Sequence, residues 1–297
     1  MADLLGQRPD GPARLRALLA DTEPVVAPGA YDALSARLVE AADFPAVYMT
    51  GFGVTASLIG RPDVGLLTMT EMVQTARRIV SAVAVPVIAD ADTGYGNALN
   101  VVRTVQEYEA AGVAAIHLED QVTPKRCGHM DDKQVIGTGA AVDKIRAAVA
   151  ARQNPDFVLI ARTDAYAVEG LDAAIERAER YRDAGADALF IEALRDEREM
   201  ERVAGVFSGV PLLFNWAEGG KTPPVGLDRI RELGFRIVIY PISALLAATA
   251  AVREVIGAIK RDGSPVNVVH DLPGFGEFTG LVGYAEIQEI ARRFASG

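Results

Sequence analysis

Residues Ala141–Glu192 read AVDKIRAAVAARQNPDFVLIARTDAYAVEGLDAAIERAERYRDAGADALFIE. An amphipathic helical segment, Ala141–Arg152, leads into the apolar run Val158–Ala161. A second, Leu171–Ala184, leads into Ala188–Ile191. Neither run alternates, as expected of strands covered on both faces. Parallel strands need a crossover to return, and a helix supplies it. The stretch therefore holds two consecutive helix–strand repeats.

The same rhythm extends in both directions. Val25–Ala27 precedes the helical segment Tyr31–Ala42, and Ala46–Met49 follows. Val87–Ala89 comes after Thr70–Ala84, and Ala115–Leu118 after Asn100–Ala111. Leu212–Phe214 follows Glu197–Phe207, Arg236–Ile239 follows Leu227–Leu233, and a helix from Ser243 to Arg261 closes the series. Eight units match an α/β fold of the (β/α)8 TIM-barrel type, for which about 250 residues is typical. The alternative is an open doubly wound sheet, but no GxGxxG follows the first strand. The tripeptides Ala111–Val113, Ala184–Ala186 and Leu233–Phe235 each place a glycine where a helix ends, which suits a left-handed C-cap. No linker divides the chain, so 1–297 is expected to be one barrel domain. Residues 1–22 form a helical lead. Residues 262–297 form a helical tail, with a turn-rich segment at Asp271–Gly276 and a last helix at Tyr284–Phe294.

The 297 residues are 50% hydrophobic and 24% charged, an ordinary globular balance that excludes a disordered chain. Forty acidic against thirty basic residues leave a net charge of −10, so a phosphate backbone would be repelled and nucleic acid is not an expected partner. The single cysteine cannot make an internal disulfide, which fits a reducing, cytoplasmic setting. No apolar run approaches the ~18 residues of a membrane span, so no membrane association is expected. The first twenty residues lack the apolar core of a secretory signal.

Barrel enzymes carry their chemistry at the C-terminal ends of the strands. Here those ends deliver Tyr48-Met49-Thr50-Gly51, Asp90-Ala91-Asp92, Glu119-Asp120, Arg162-Thr163-Asp164, Glu192, Asn215 and Tyr240-Pro241. Asp90, Asp92 and Glu119 come from adjacent strands. Three like charges so close repel unless a cation lies between them. An all-oxygen set favours Mg²⁺, with Mn²⁺ as the other option, over zinc. The competing arrangement pairs one carboxylate with Arg162 and leaves the others solvated. Gln121–Gly139 is long for a loop of this kind, where about 2–6 residues is usual. It carries Lys125-Arg126-Cys127-Gly128-His129, in which cationic neighbours would lower the thiol pKa. A mobile loop bringing an acid/base thiol over a metal site is lid chemistry. The GxG of Asp92–Asn97 and the GKT near Lys221 lack nucleotide-binding spacing. His117, within its strand, reads as a packed core histidine.

With those residues in place, the chain resembles the isocitrate lyase/phosphoenolpyruvate mutase superfamily. It lies on the side of methylisocitrate lyase, dimethylmalate lyase, oxaloacetate hydrolase and carboxyphosphonoenolpyruvate phosphonomutase. The motifs are PGAYDALSA (28–36), DADTGYGN (90–97), HLEDQ (117–121), KRCGH (125–129), ARTDA (161–165) and EGGKTP (218–223). The resemblance implies a barrel whose last helix is exchanged with a partner, in a homotetramer built as a dimer of dimers. It implies Mg²⁺ at Asp92, with Asp90 and Glu119 acting through water. It implies that Thr50, Gly51 and Phe52 hold a substrate carboxylate, that Arg162 clamps one, and that Gly128, His129, Glu192 and Asn215 complete the pocket. It implies a lyase acting on a small di- or tricarboxylic acid. A 2-hydroxy diacid of the 2-methylisocitrate or 2,3-dimethylmalate type would be cleaved to a 2-oxo acid and a carboxylic acid. Cys127, flanked by Lys125, would protonate the departing carbanion, and Tyr48 is assigned as the base. Oxaloacetate hydrolysis or decarboxylation and phosphonomutase chemistry are the alternatives. Two departures bear on substrate. Methylisocitrate lyases usually show SGG where this chain has Thr50-Gly51-Phe52, and a phenylalanine-glycine where it has Gly219-Gly220-Lys221. A phenylalanine at 52 removes volume and points to a smaller or more apolar substrate.

Overall fold

The computed structural model describes residues 4–6, 9–128 and 130–295. Its strands are β1 (Val25–Ala30), β2 (Val47–Met49), β3 (Val87–Asp90), β4 (Ala115–Glu119), β5 (Val158–Thr163), β6 (Ala188–Ile191), β7 (Leu213–Asn215) and β8 (Ile237–Tyr240). All are parallel, in the order β6-β5-β4-β3-β2-β1-β8-β7. β1 pairs with both β2 and β8, so the first and last strands are neighbours. A bridge between Leu189 and Leu212 joins the last seam, so the sheet closes into a (β/α)8 barrel.

The helices are α1 (Gly11–Ala20), α2 (Ala33–Ala41), α3 (Gly51–Ile59), α4 (Met69–Ala82), α5 (Ala98–Ala111), α6 (Thr138–Ala151), α7 (Tyr166–Glu169), α8 (Leu171–Asp183), α9 (Glu197–Val206), α10 (Leu227–Glu232), α11 (Ser243–Asp262), α12 (Phe275–Leu281) and α13 (Tyr284–Phe294). Local chemistry sets their ends. Asp32, Thr68 and Asn97 cap α2, α4 and α5 with reciprocal capping boxes. Gly112, Gly185 and Gly234, the glycines of the three tripeptides, have φ of 85°, 103° and 89°. Only glycine takes that left-handed geometry without strain.

Several elements escaped the sequence reading, among them the one-turn helix α7. α3 is an extra helix directly after β2, ahead of the crossover α4. Its glycines at 51 and 53 weaken the helical signal. In the tail, the segment expected to be only turns runs from a 3-10 turn, Val269–Asp271, straight into α12.

The strands sort their side chains by a period of two. Val25, Ala27, Ile88, Val158, Ile160, Ala188, Phe190, Leu213 and Ile237 fill the barrel interior, and Leu15 of α1 joins them. The outward-facing residues pack with the helices in a second cluster. Moving up each strand by two, the inward positions turn polar: Ile88 gives way to Asp90, Ile160 to Arg162, Phe190 to Glu192, and Leu213 to Asn215. Register then aligns them, with Asp90 opposite His117 and Glu119 opposite Arg162.

Candidate active site

The inward polar residues open into a cavity of about 190 Å³ at the C-terminal rim. Tyr48, Thr50, Phe52, Asp90, Lys125, Cys127, Gly128, Arg162, Glu192 and Asn215 all line it. His129 lies outside the described residues. The β4–α6 loop forms the roof, placing Cys127 and Gly128 over the barrel mouth.

Arg162 organises the floor. Its Nε donates to Asp164 Oδ2 at 2.9 Å and lies 3.3 Å from Glu119 Oε2, while its Nη2 lies 3.2 Å from Glu192 Oε2. Burial opposes its charge, but Asp164, Glu119 and Glu192 outweigh burial and hold the guanidinium firmly protonated. Asn215 Nδ2 donates to both oxygens of Glu192, at 3.3 and 3.1 Å. Gly128 lies flat against this layer. A Cβ there would come within 2.5 Å of both Arg162 Nη2 and Glu192 Oε2.

Lys125 points inward from the roof. Its Nζ is 2.7 Å from Asp63 Oδ2 and 2.7 Å from Asp92 Oδ1. Burial works against this ammonium, and Asp92, Asp63 and Asp90 more than offset it. Thr50 caps α3 by accepting from the Gly53 N–H, and the Gly51 N–H donates to Asp90 Oδ2. Those two groups, expected to grip a substrate carboxylate, are thus engaged within the protein. The N-terminus of α3 still faces the cavity, a favourable place for an anion.

Tyr48 Oη and His117 Nε2 share a hydrogen bond of 2.8 Å, and His117 Nε2 lies 3.6 Å from Asp90 Oδ1. Burial, with Asp90 adding to it, pushes the Tyr48 hydroxyl well above its ordinary value. Burial also lowers the His117 pKa to about 4, so the ring is neutral at neutral pH. This environment favours the protonated hydroxyl at Tyr48.

A pattern described as Phosphoenolpyruvate phosphomutase matches residues 15–260. The chain belongs to the phosphoenolpyruvate mutase family. Within this family, 2,3-dimethylmalate lyase of Eubacterium barkeri is 49% identical over 285 residues, covering 96% of this chain and 98% of that protein. The 2-methylisocitrate lyase of Aeropyrum pernix is 44% identical over 283 residues, covering 94% and 91%. Oxaloacetate acetylhydrolase, solved with the inhibitor 3,3-difluorooxalacetate, superposes with a TM-score of 0.92 at 38% identity, covering 97% and 98%. The resemblance carried by the six motifs is borne out.

For this family member, the three carboxylates assigned to a metal are arranged differently from the expected cluster. Among the described residues, no group of three or more His, Cys, Asp or Glu side chains is placed to hold a metal directly. Asp90 lines the cavity, whereas Asp92 is covered by Lys125 and Glu119 by Arg162. Even so, the donors fit a hydrated hard cation. Glu119 Oε1 is buried with no hydrogen-bond partner. Burial, reinforced by Asp90 and Asp63, raises Asp92 to about 6, and burial raises Glu119 well above its ordinary value. Burial of these carboxyls outweighs the cations that Lys125 and Arg162 bring to them. Mg²⁺ keeps several waters and needs few direct protein ligands. Asp92 also has a left-handed backbone, φ 47°, a strained conformation typical of functional positions.

Three buried charged residues that brace the site were not singled out in the sequence. Asp63 sits in a turn after α3, away from any strand end. Lys133 sits in Asp131-Asp132-Lys133, which reads as a solvated charge run. Asp164 was visible at the end of β5 but had no evident role. His117 is packed as expected, yet it also touches Tyr48.

Proposed function

We propose that this protein is a carbon–carbon lyase that cleaves a 2-hydroxy diacid of the 2,3-dimethylmalate or 2-methylisocitrate type. One observation carries this: the chain's sole thiol, on a roof loop, shares a small cavity with a buried guanidinium, a buried ammonium and a protonated tyrosine. Arg162 and the start of α3 would bind the substrate carboxylates, since a planar guanidinium suits them. Asp92, Asp90 and Glu119 would hold Mg²⁺ or Mn²⁺, which when bound polarises the substrate's hydroxyl and neighbouring carboxylate.

Tyr48 takes the hydroxyl proton as its own proton moves to neutral His117. The C2–C3 bond breaks, its electron pair passes to the C3 carboxylate, and a 2-oxo acid departs. The Cys127 thiol then gives its proton to C3, leaving a carboxylic acid. The roof excludes water while the carbanion lives. Phe52 and Met130 give the cavity an apolar side, which favours an alkyl-substituted diacid over a tricarboxylate.

A second reading, hydrolysis or decarboxylation of oxaloacetate, draws support from the likeness to oxaloacetate acetylhydrolase. Proton NMR separates them. The protein is incubated with Mg²⁺ and dimethylmalate, methylisocitrate or oxaloacetate, with chelator controls. Pyruvate plus a short carboxylic acid, lost on chelation, supports the lyase. Turnover of oxaloacetate alone rejects it.

The expected assembly is a homotetramer of helix-exchanged dimers. Support comes from the tail: Ala258 alone is buried on α11, and none of α12 or α13 is buried. Val252, Ile256, Phe275 and Ile287 are exposed there. Light scattering at four chain masses is the expected result. No helix among the described residues is long and apolar enough to cross a membrane. The single cysteine supports a cytoplasmic location.

A further inference from the structure

Lys133 takes no part in the chemistry above, yet its side chain is 1% exposed. A buried ammonium must be paired to be tolerated. Its Nζ lies 2.8 Å from Asp164 Oδ1 and also donates to the Gly128 carbonyl. Asp164 is fully buried and receives Arg162 through Nε and Nη2, at 2.9 and 3.2 Å. Burial would raise this carboxyl, but Arg162 and Lys133 hold it well below the usual carboxylate range. One ammonium thus joins two things: the loop backbone beside Cys127, and the carboxylate that orients Arg162.

We propose that Lys133 is a positioning residue, whose tie from Gly128 to Asp164 sets the height of the Cys127 thiol above the Arg162 floor. Its role in the reaction rests on the lyase reading; the tie itself does not. Lys125, in the same loop, pairs with Asp63 and Asp92 and so ties the roof to a different wall of the site. The Lys221 Nζ to Asp131 Oδ1 pair, at 2.7 Å, is partly to largely exposed and contributes little. Breaking a buried pair is far more costly than breaking an exposed one. Lys133 is therefore the member of the loop whose loss should free the Gly128 side of it from the Arg162 floor.

Cys127 is the chain's one cysteine, so its alkylation by iodoacetamide reports the loop without any substrate. In the full-length protein, Lys133→Met is expected to speed alkylation about tenfold or more, a release of roughly 1.4 kcal/mol. It should lower kcat on dimethylmalate by about 100-fold with KM changed about threefold at most, because Asp164 still holds Arg162. Lys133→Arg, which keeps the cation, should recover part of both. Asp164→Asn should also speed alkylation, and the double variant should add little, since the pair acts as one unit. If Lys133→Met does not fold, Lys133→Gln carries the same comparison. A folded variant that alkylates and turns over like the parent overturns the tie, as do fully additive single effects. Faster alkylation in a protein that cleaves no diacid keeps the tie and overturns the lyase reading instead.

Discussion

Lys125 Nζ lies 2.7 Å from Asp92 Oδ1, so an ammonium of the roof loop rests on a buried carboxylate at the end of β3. The charges around it explain the pairing. Burial, Asp90 and Asp63 all push the Asp92 carboxyl up, and Lys125 is the main opposing influence. A divalent cation held at Asp92, as proposed above, would relieve the same imbalance and would compete with Lys125 for that carboxylate.

Mg²⁺ should therefore stabilise the protein. At a hundred times its Kd, a ligand specific for the folded state adds about 2.7 kcal/mol, or several degrees in Tm. Thermal melts with increasing Mg²⁺ should show this shift, and Asp92→Asn should abolish it. An equal shift in the variant would remove Asp92 from the metal site.

Cys127→Ser should keep the fold and lose the reaction. A serine hydroxyl is too weak an acid to protonate the carbanion, and removing a positioned acid typically costs about 10²–10⁴-fold in rate. KM should change little, because Arg162 and the floor are untouched. Steady-state kinetics on dimethylmalate would check both. Full activity would transfer the proton donor elsewhere.

Phe52 lines the cavity and should set substrate size. The parent protein is expected to prefer dimethylmalate to methylisocitrate. Phe52→Ala should shift kcat/KM toward methylisocitrate by about 10–200-fold, the range for changes of small apolar volume. Competition assays with both substrates read the ratio directly. A parent that clearly favours methylisocitrate would defeat the size argument.

His117 should make the fold acid-sensitive. Its folded pKa, about 4, lies below the ordinary histidine value near 6.5. Between those limits the unfolded chain binds the extra proton, so stability falls as pH drops. The stabilisation is complete above pH ~6.5 and is lost by pH ~4, about 3 kcal/mol over the window. Asp92, raised to about 6, acts in the opposite direction over part of this window, so the comparison is between proteins: urea unfolding at several pH values should show a larger loss toward acid in the parent than in His117→Phe. The same slope in the variant would remove His117 as its source.

Much of this protein is determined by its sequence alone. Apolar runs separated by amphipathic helices can only return parallel, and eight of them close into a barrel. The polar residues at the strand ends follow, because the period of two that buries Ile88, Ile160 and Phe190 turns Asp90, Arg162 and Glu192 inward one step higher. Tertiary structure alone decided the partnerships. Asp63 and Lys125 are 62 residues apart, and Lys133 and Asp164 are 31 apart. No local periodicity or spacing links such pairs. They meet because barrel closure brings separate loops to one rim, where a buried charge must find an opposite charge or remain unsolvated. Sequence names the groups that need partners, and the fold supplies the partners.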